Sequence, residues 1–326
     1  MIGFLCFGVL VMYACFLGDL CATLFGTTRA LAIVGVTVFP LLPLALLRDL
    51  SALAFSSILG IGAVLYLTAF SVLRALDGSC APGGAYFAGL PIVPERAQIS
   101  LARLSFGSFV LFNMLNTAFT AHTNAVRFYN ELEDRSPARF GRVVGGAFAL
   151  STLVYGLAMS AGYATFGAAS SGLILNNYHE SADGLASFGR VATCVSVIGS
   201  HPLLFTSLRD AVLGALRPRF PVLAEGGAFA PWAALSVGLL AAATALAILT
   251  PDVGFVVSLS GALLCSLLVY SVPSYLNVQR IQKAGAATEA TRRELAISKG
   301  LVGFGCVMAV AGTVVTFLET FTDLLE

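Results

Sequence analysis

FTAHTNAVRFYNELED, residues 119–134, places polar side chains at the end of a long apolar segment. Thr120, His122 and Asn124 lie in its first half, and the charged residues follow in its second half. Polar groups inside a hydrophobic span cost free energy unless they find partners, so they usually face other helices or a water-filled cavity. The stretch therefore indicates a broken or functional membrane segment.

The composition around this stretch is that of a membrane protein. Of 326 residues, 58% are hydrophobic and 11% are charged, with a mean hydropathy of +0.90, whereas soluble domains carry about 25% charged residues. The net charge of +1 does not indicate nucleic acid as a partner. The lipid bilayer is the predicted environment.

Nine apolar segments are long enough to be candidate membrane helices, each of which needs about 20 residues to cross a bilayer. They cover residues 2–25, 31–47, 51–73, 104–126, 143–167, 187–213, 230–250, 253–277 and 299–318. Because these runs are apolar on every face, they predict an all-α polytopic protein rather than a barrel. The basic segment 279–295 between the last two is similar to a short amphipathic helix, but the favoured interpretation is a solvated loop that helps set the topology.

The distribution of Lys and Arg predicts the orientation, since basic residues concentrate on the cytoplasmic side. With the amino terminus inside, 13 basic residues fall in cytoplasmic segments and five on the other side. The sequence therefore predicts an amino terminus inside and a carboxyl terminus outside.

The fourth predicted span has one markedly polar face. Five side chains recur at i, i+3, i+4, i+7 and i+11, a spacing that places them together on a helix. They are Asn113, Asn116, Thr117, Thr120 and Asn124. Helix association needs less polarity than this, so the face is a candidate binding surface.

The sixth predicted span carries a second polar stripe at Thr193, Ser196 and Ser200, followed directly by His201 and Pro202. Hydroxyls in membrane helices often bond only a backbone carbonyl or a neighbouring helix. Packing therefore stays open as an alternative for this stripe. A histidine here or at position 122 could carry a proton, because imidazole titrates near physiological pH.

The sequence offers no motif for enzyme chemistry. It lacks a phosphate-binding G-x-x-x-x-G-K-[ST] loop, a C-x-x-C or H-E-x-x-H metal pattern and a G-x-S-x-G nucleophile elbow. We therefore predict a protein that is not an enzyme and that uses neither a metal nor an organic cofactor.

Four ordered motifs resemble the amino acid/auxin permease family of secondary amino acid transporters. They are FTAHTNAVRFYNEL at 119–132, GYATFG at 162–167, LILNNY at 173–178 and SHPLLFTSLRDAVL at 200–213. YACFLGDL at 13–20 is also similar to the family's third helix.

The resemblance implies a leucine-transporter-like fold of two inverted repeats, with substrate bound where helices are unwound at mid-membrane. The nine spans would be the family's helices three to eleven, so the chain would lack the first two helices of that fold. It would be a single domain over 1–326. Its parts would be the rest of the first repeat (1–74), a non-cytoplasmic loop (75–103), the second repeat (104–278), a cytoplasmic loop (279–296) and a final helix (297–326).

The resemblance also implies the site residues. The substrate would meet a helix break near Phe119 to His122 and the polar face before it. The implied substrate-binding residues are Tyr13, Asn113, Asn116, Thr117, Phe119, Thr120 and His122. Ser196 and Ser200 would bind a coupling sodium ion.

The expected function is secondary active transport of amino acids, with neutral amino acids as substrates and a proton or sodium gradient as the driving force. The expected location is the plasma membrane or a vacuolar or lysosomal membrane. A non-transporting sensor or scaffold derived from a truncated transporter is the alternative. A channel is disfavoured because the polar mid-span residues are neutral and confined to two helices.

Overall fold

The computed structural model describes residues 2–47, 56–94, 107–121, 125–179, 182–216, 229–250, 253–285 and 288–322. Within these ranges the elements are helical, with no β-strand. The α-helices are α1 Ile2–Phe25, α2 Arg29–Val36, α3 Leu42–Ala45, α4 Ser56–Asp77, α5 Gly107–Ala118, α6 Ala125–Glu131, α7 Pro137–Phe166, α8 Gly184–Leu216, α9 Phe229–Leu249, α10 Val253–Ser260, α11 Val272–Ala284 and α12 Glu289–Phe321. Several are long and apolar enough to cross a membrane, so the chain is a multi-pass membrane protein.

Seven spans, rather than the nine predicted, meet the length and hydropathy expected of a membrane helix within the described residues. The predicted span 31–47 falls in α2, a π-helical turn at Thr37–Leu41 and α3, which together form a shorter apolar segment. Pro40 lies inside that π turn, where its missing N–H interrupts the α-helical bonding. The predicted span 104–126 ends early, because α5 ends at Ala118.

The basic segment 279–295 forms neither a separate amphipathic helix nor one continuous loop within the described residues. α11 ends at Ala284, and Gly285 follows in the left-handed conformation with φ of 64°. α12 then begins at Glu289, after Thr288 accepts a capping hydrogen bond from the Thr291 amide. A glycine in this conformation commonly ends a helix, so the basic segment divides between two helix ends.

The chain forms two compact units. The larger unit comprises Ile2–Leu101 and Val144–Val253, and the smaller unit comprises Ala102–Val143 and Gly254–Glu326. In the larger unit α1 packs on α8, α2 and α9, and α4 also packs on α8. Leu17 and Leu20 of α1 are fully buried there, so α1 lies in the core of this unit.

A buried ion pair joins two helices at one end of the larger unit. Arg74, near the end of α4, donates from Nε and Nη2 to the two carboxylate oxygens of Asp183, at 2.8 and 2.7 Å. Asp183 also accepts the amides of Leu185 and Ala186 in the first turn of α8. The Asp183 side chain is only 1% exposed, so this carboxylate both caps α8 and neutralises a buried guanidinium.

The loop before α8 is held by a second buried arginine. Arg190 donates to the backbone carbonyls of Leu175, Tyr178 and His179. The ring of Tyr178 packs edge-on against Phe166, with centroids 5.0 Å apart. Burial raises the pKa of Tyr178 to about 12, so its phenol stays protonated at physiological pH.

In the smaller unit, α12 packs against α5, α11 and the segment that joins α10 to α11. That segment, here called the π stretch, consists of the π-helical turns Gly261–Cys265 and Leu267–Ser271 with Ser266 between them. Gly261 is in direct contact with α5, because a Cβ atom added to it would lie 1.7 Å from the Asn113 carbonyl oxygen. Only glycine allows this approach of two backbones.

Candidate functional site

α5 ends where the sequence predicts a break. Its last residue is Ala118, and Phe119, Thr120 and Ala121 are not helical. Residues 122–124, which include the predicted substrate-binding residue His122, lie outside the described part of the chain. α6 begins at Ala125, so the polar stretch 119–134 directly follows the end of one helix and contains the start of the next.

Thr120 closes the end of α5 with its own side chain. Its hydroxyl donates to the Asn116 carbonyl at 2.5 Å, and its amide donates to the Thr117 carbonyl at 3.2 Å. The Phe119 amide bonds the Leu115 carbonyl at 2.9 Å. Carbonyls in the last turn of a helix lack intrahelical partners, and here the residues of the break satisfy three of them. The Thr120 side chain also interacts with the thiol of Cys265 in the π stretch.

The side chain of Asn116 is held from both ends by the π stretch. Its Oδ1 accepts from the hydroxyl of Tyr270 at 3.0 Å, and its Nδ2 donates to Ser266 Oγ at 3.2 Å. Asn116 is only 7% exposed. The predicted polar face therefore packs, at this position, against another helix of the smaller unit.

Thr117 makes a similar contact, since its hydroxyl donates to the carbonyl of Val257 in α10 at 3.0 Å. Asn113 is fully buried, and neither atom of its amide has a hydrogen-bond partner among the described residues. That amide lies against Gly312 of α12, where an added Cβ would be 2.7 Å from Nδ2. An unpaired buried amide costs about 1–3 kcal/mol of folding free energy, so Asn113 lowers the stability of the smaller unit.

Ser266 and Tyr270 are site residues that the sequence reasoning missed. Their spacing of four residues hints at a shared face, but a helical wheel assumes 3.6 residues per turn throughout. The π turns widen the helix locally and change which side chains point the same way. The hydroxyl side chains of the predicted span 253–277 could have indicated a polar face. The π geometry hid their periodicity, because it differs from that of an α-helix.

In the larger unit the structure brings Tyr13 and Ser200 together. The Tyr13 side chain of α1 interacts with the Ser200 side chain of α8. The Ser200 hydroxyl donates to the carbonyls of Ser196 and Val197, at 2.9 and 3.2 Å. Because its proton is directed to the backbone, the Ser200 oxygen faces Tyr13 as an acceptor.

Ser196 lies one turn before Ser200 on α8 and faces Gly60 of α4, where an added Cβ would be 3.3 Å from the Ser196 hydroxyl oxygen. His201 is 1% exposed and its ring stacks on Phe205, with centroids 5.8 Å apart. His201 Nδ1 has no hydrogen-bond partner among the described residues. His201, for which proton carrying was one possibility, is thus a core side chain with one unsatisfied nitrogen.

Comparison with known proteins gives a family match over almost the whole chain. The family described as "Transmembrane amino acid transporter protein" matches residues 1–318. No solved structure matches the chain significantly.

Several curated proteins are also similar to the chain. "Vacuolar amino acid transporter 5" of Schizosaccharomyces pombe is 26% identical over 96% of this chain and 72% of its own length. "Vacuolar amino acid transporter 7" of Saccharomyces cerevisiae is 31% identical over 64% of this chain. The human "Putative sodium-coupled neutral amino acid transporter 11" is 24% identical over 85% of this chain. The chain spans only 41% of the budding yeast protein and 64% of the human protein.

Proposed function

Because the chain belongs to the transmembrane amino acid transporter protein family, we propose that it carries amino acids across a membrane by secondary active transport. The family is one of transporters, which agrees with the prediction that the chain is not an enzyme. Neutral amino acids are the proposed substrates, and a proton or sodium gradient is the proposed driving force. The names of the relatives support the substrate class, and two of them name vacuolar transporters. A vacuolar or lysosomal membrane or the plasma membrane is the proposed setting.

The end of α5 is the observation that carries the proposal. A helix that stops inside a membrane protein leaves polar backbone groups, which are tolerated where they line a cavity or are buried in protein. Thr120 bonds the carbonyls of Asn116 and Thr117 in the last turn, with its hydroxyl and its amide, so the helix end is held in place at the break. We assign Asn113, Asn116, Thr117, Phe119 and Thr120 of the smaller unit to substrate binding. Tyr13 of the larger unit and His122 stay predictions from the sequence.

Transport by alternating access requires an element with two stable arrangements. The helix end at Ala118 is a natural place for such a change, because no continuous α-helical bonding has to be broken there. The unpaired amide of Asn113 supports the same assignment, since a second arrangement could supply its partners.

The test is uptake of radiolabelled amino acids into proteoliposomes that contain the complete product of the gene. We expect accumulation of small neutral amino acids above empty vesicles only when an ion gradient is present. Retention of a bound amino acid without any uptake would favour the sensor alternative. No uptake of any of the twenty amino acids would contradict the proposal.

Replacing Asn116 by leucine is expected to lower uptake at low substrate concentration by about tenfold, since a carboxamide that orders the site is lost. The matched control is Asn130→Leu, which changes an exposed asparagine of α6 in the same unit. Equal uptake by the two variants would show that the polar face of α5 serves helix packing and does not bind substrate.

Replacing Ser200 by alanine tests the ion site. If sodium drives transport, we expect the sodium concentration for half-maximal uptake to rise about tenfold, as for the loss of one ligand oxygen worth about 1.4 kcal/mol. Ser207→Ala is the control, because Ser207 also donates to its own helix, to Leu203 at 3.2 Å, but is exposed. Unchanged sodium dependence in Ser200→Ala would remove this residue from the ion site.

A further inference from the structure

A chain of hydrogen bonds runs from Tyr270 through Asn116 into the π stretch. The Tyr270 hydroxyl donates to Asn116 Oδ1, and Asn116 Nδ2 donates to Ser266 Oγ. Ser266 Oγ then donates to the carbonyl of Gly261 at 3.0 Å. All four residues belong to the smaller unit.

The direction of each bond in this chain follows from chemistry. Ser266 donates its only hydroxyl hydrogen bond to the Gly261 carbonyl, so towards Asn116 it acts as an acceptor of a hydrogen bond from the NH₂ group. Tyr270 carries one proton and meets the carbonyl oxygen of the amide. The two contacts therefore fix which end of the Asn116 amide points in which direction.

The π stretch is what brings both partners to Asn116. The Ser266 amide bonds the Gly261 carbonyl five residues back, in the π pattern. Single π turns within α-helices are uncommon and occur often at functional sites. Here two of them flank Ser266, which is fully buried.

The ring of Tyr270 is positioned independently of its hydroxyl. It packs edge-on against Phe304 of α12, with centroids 5.2 Å apart and planes at 84°. Phe304 also meets Phe112 of α5 in the same manner, at 6.3 Å. A phenylalanine at position 270 would keep these contacts and lose only the hydrogen bond to Asn116.

A carboxamide has two N–H donors and two acceptor lone pairs on its oxygen. The chain uses one of each on Asn116, so one donor and one acceptor remain, both in a fixed direction. Groups that are oriented before a ligand arrives bind it without losing side-chain entropy. A carboxamide held in this way suits the ammonium and carboxylate groups of an amino acid.

We propose that Tyr270 is a positioning residue for the substrate, acting through Asn116, with Ser266 as the second holder of the same amide. The inference rests on the proposed function, since it assigns a role within the same site. It adds a residue from the span after α10 to a site that the sequence placed on α5 and at its break.

Tyr270→Phe is the experiment, measured by uptake kinetics and by thermal unfolding of the purified protein in detergent. The expected result is a KM raised about tenfold, with a maximal rate within twofold of wild type and an unchanged unfolding temperature. Ser266→Ala is expected to raise KM in the same direction. Tyr275→Phe is the matched control, because the hydroxyl of this exposed tyrosine of α11 accepts a hydrogen bond from Gln279 at 3.1 Å and has no part in the site, so KM should stay unchanged.

The outcomes separate the two proposals. No uptake by the wild-type protein would overturn both of them. Wild-type uptake with an unchanged KM in Tyr270→Phe would overturn the positioning role alone. A lowered KM would overturn it as well, because the substrate would then be competing with Tyr270 for Asn116. A fall in maximal rate and unfolding temperature without a change in KM would show that the Tyr270 hydroxyl only stabilises the fold, and would also overturn the positioning role.

Discussion

Replacing Gly261 by alanine is expected to destabilise the smaller unit by at least about 3 kcal/mol, the upper end of the usual cost of overpacking. The added methyl group would lie 1.7 Å from the carbonyl oxygen of Asn113. A flexible side chain could move away from it, but a backbone carbonyl inside α5 cannot move without shifting the helix. The apparent unfolding temperature of the purified protein in detergent measures the effect.

Gly303→Ala is the matched control for this substitution. Gly303 lies on α12 in the same unit, and an added Cβ would meet nothing within 4 Å. Alanine is favoured over glycine inside a helix by about 0.5–1 kcal/mol, so this variant should be as stable as wild type or slightly more stable. Similar unfolding temperatures for the two variants would show that α5 does not rest on Gly261.

Replacing Asp183 by alanine is expected to cost about 3–5 kcal/mol, because it leaves the buried guanidinium of Arg74 without its main counter-charge. The Arg74 side chain is 8% exposed and that of Asp183 is 1% exposed. Arg74 would keep its hydrogen bond to Asp77 at 2.7 Å. Because the Asp77 side chain is 29% exposed, this bond offsets only part of the lost stability. The larger unit should therefore unfold at a clearly lower temperature.

The exposed ion pair between Arg280 and Glu294 is the comparison for this prediction. Its side chains are 67% and 47% exposed, and such pairs contribute about 0–1 kcal/mol. Glu294→Ala should therefore have little effect. The stability of Asp183→Asn should lie between those of Asp183→Ala and Glu294→Ala, since asparagine keeps the acceptor that caps α8 and loses the charge. Equal stability of Asp183→Ala and Glu294→Ala would show that burial does not strengthen the Arg74 pair.

The fold class could be predicted from the sequence because long uninterrupted apolar runs have only one stable form in a bilayer. α1 and α9 agree with their predicted boundaries to within one residue. The predicted helix boundaries were wrong where one local feature overrides hydropathy. Pro40 introduces a π turn into the second segment, and Thr120 closes α5 eight residues before the predicted span ends. Hydropathy measures transfer into lipid and does not register either effect.

Only part of the candidate site could be predicted, because helical periodicity gives the face of a helix but not the side chains that contact it. The spacing of Asn113, Asn116 and Thr117 correctly placed them on one face of α5, because α-helical geometry fixes that face. The sequence could not show what faces them. Ser266 and Tyr270 reach Asn116 only because the π stretch changes the helical register of the segment that carries them.

The sequence by itself determined that this protein is an all-helical membrane protein with polar stripes on two of its helices, since those properties depend on composition and periodicity. The tertiary structure alone decided how the stripes are used. It directs the Asn116 amide to Tyr270 and Ser266, buries the Asn113 amide against Gly312, and brings Tyr13 to Ser200. Periodicity places side chains on a face, whereas their partners lie on helices far away in the chain, and only packing brings those helices together.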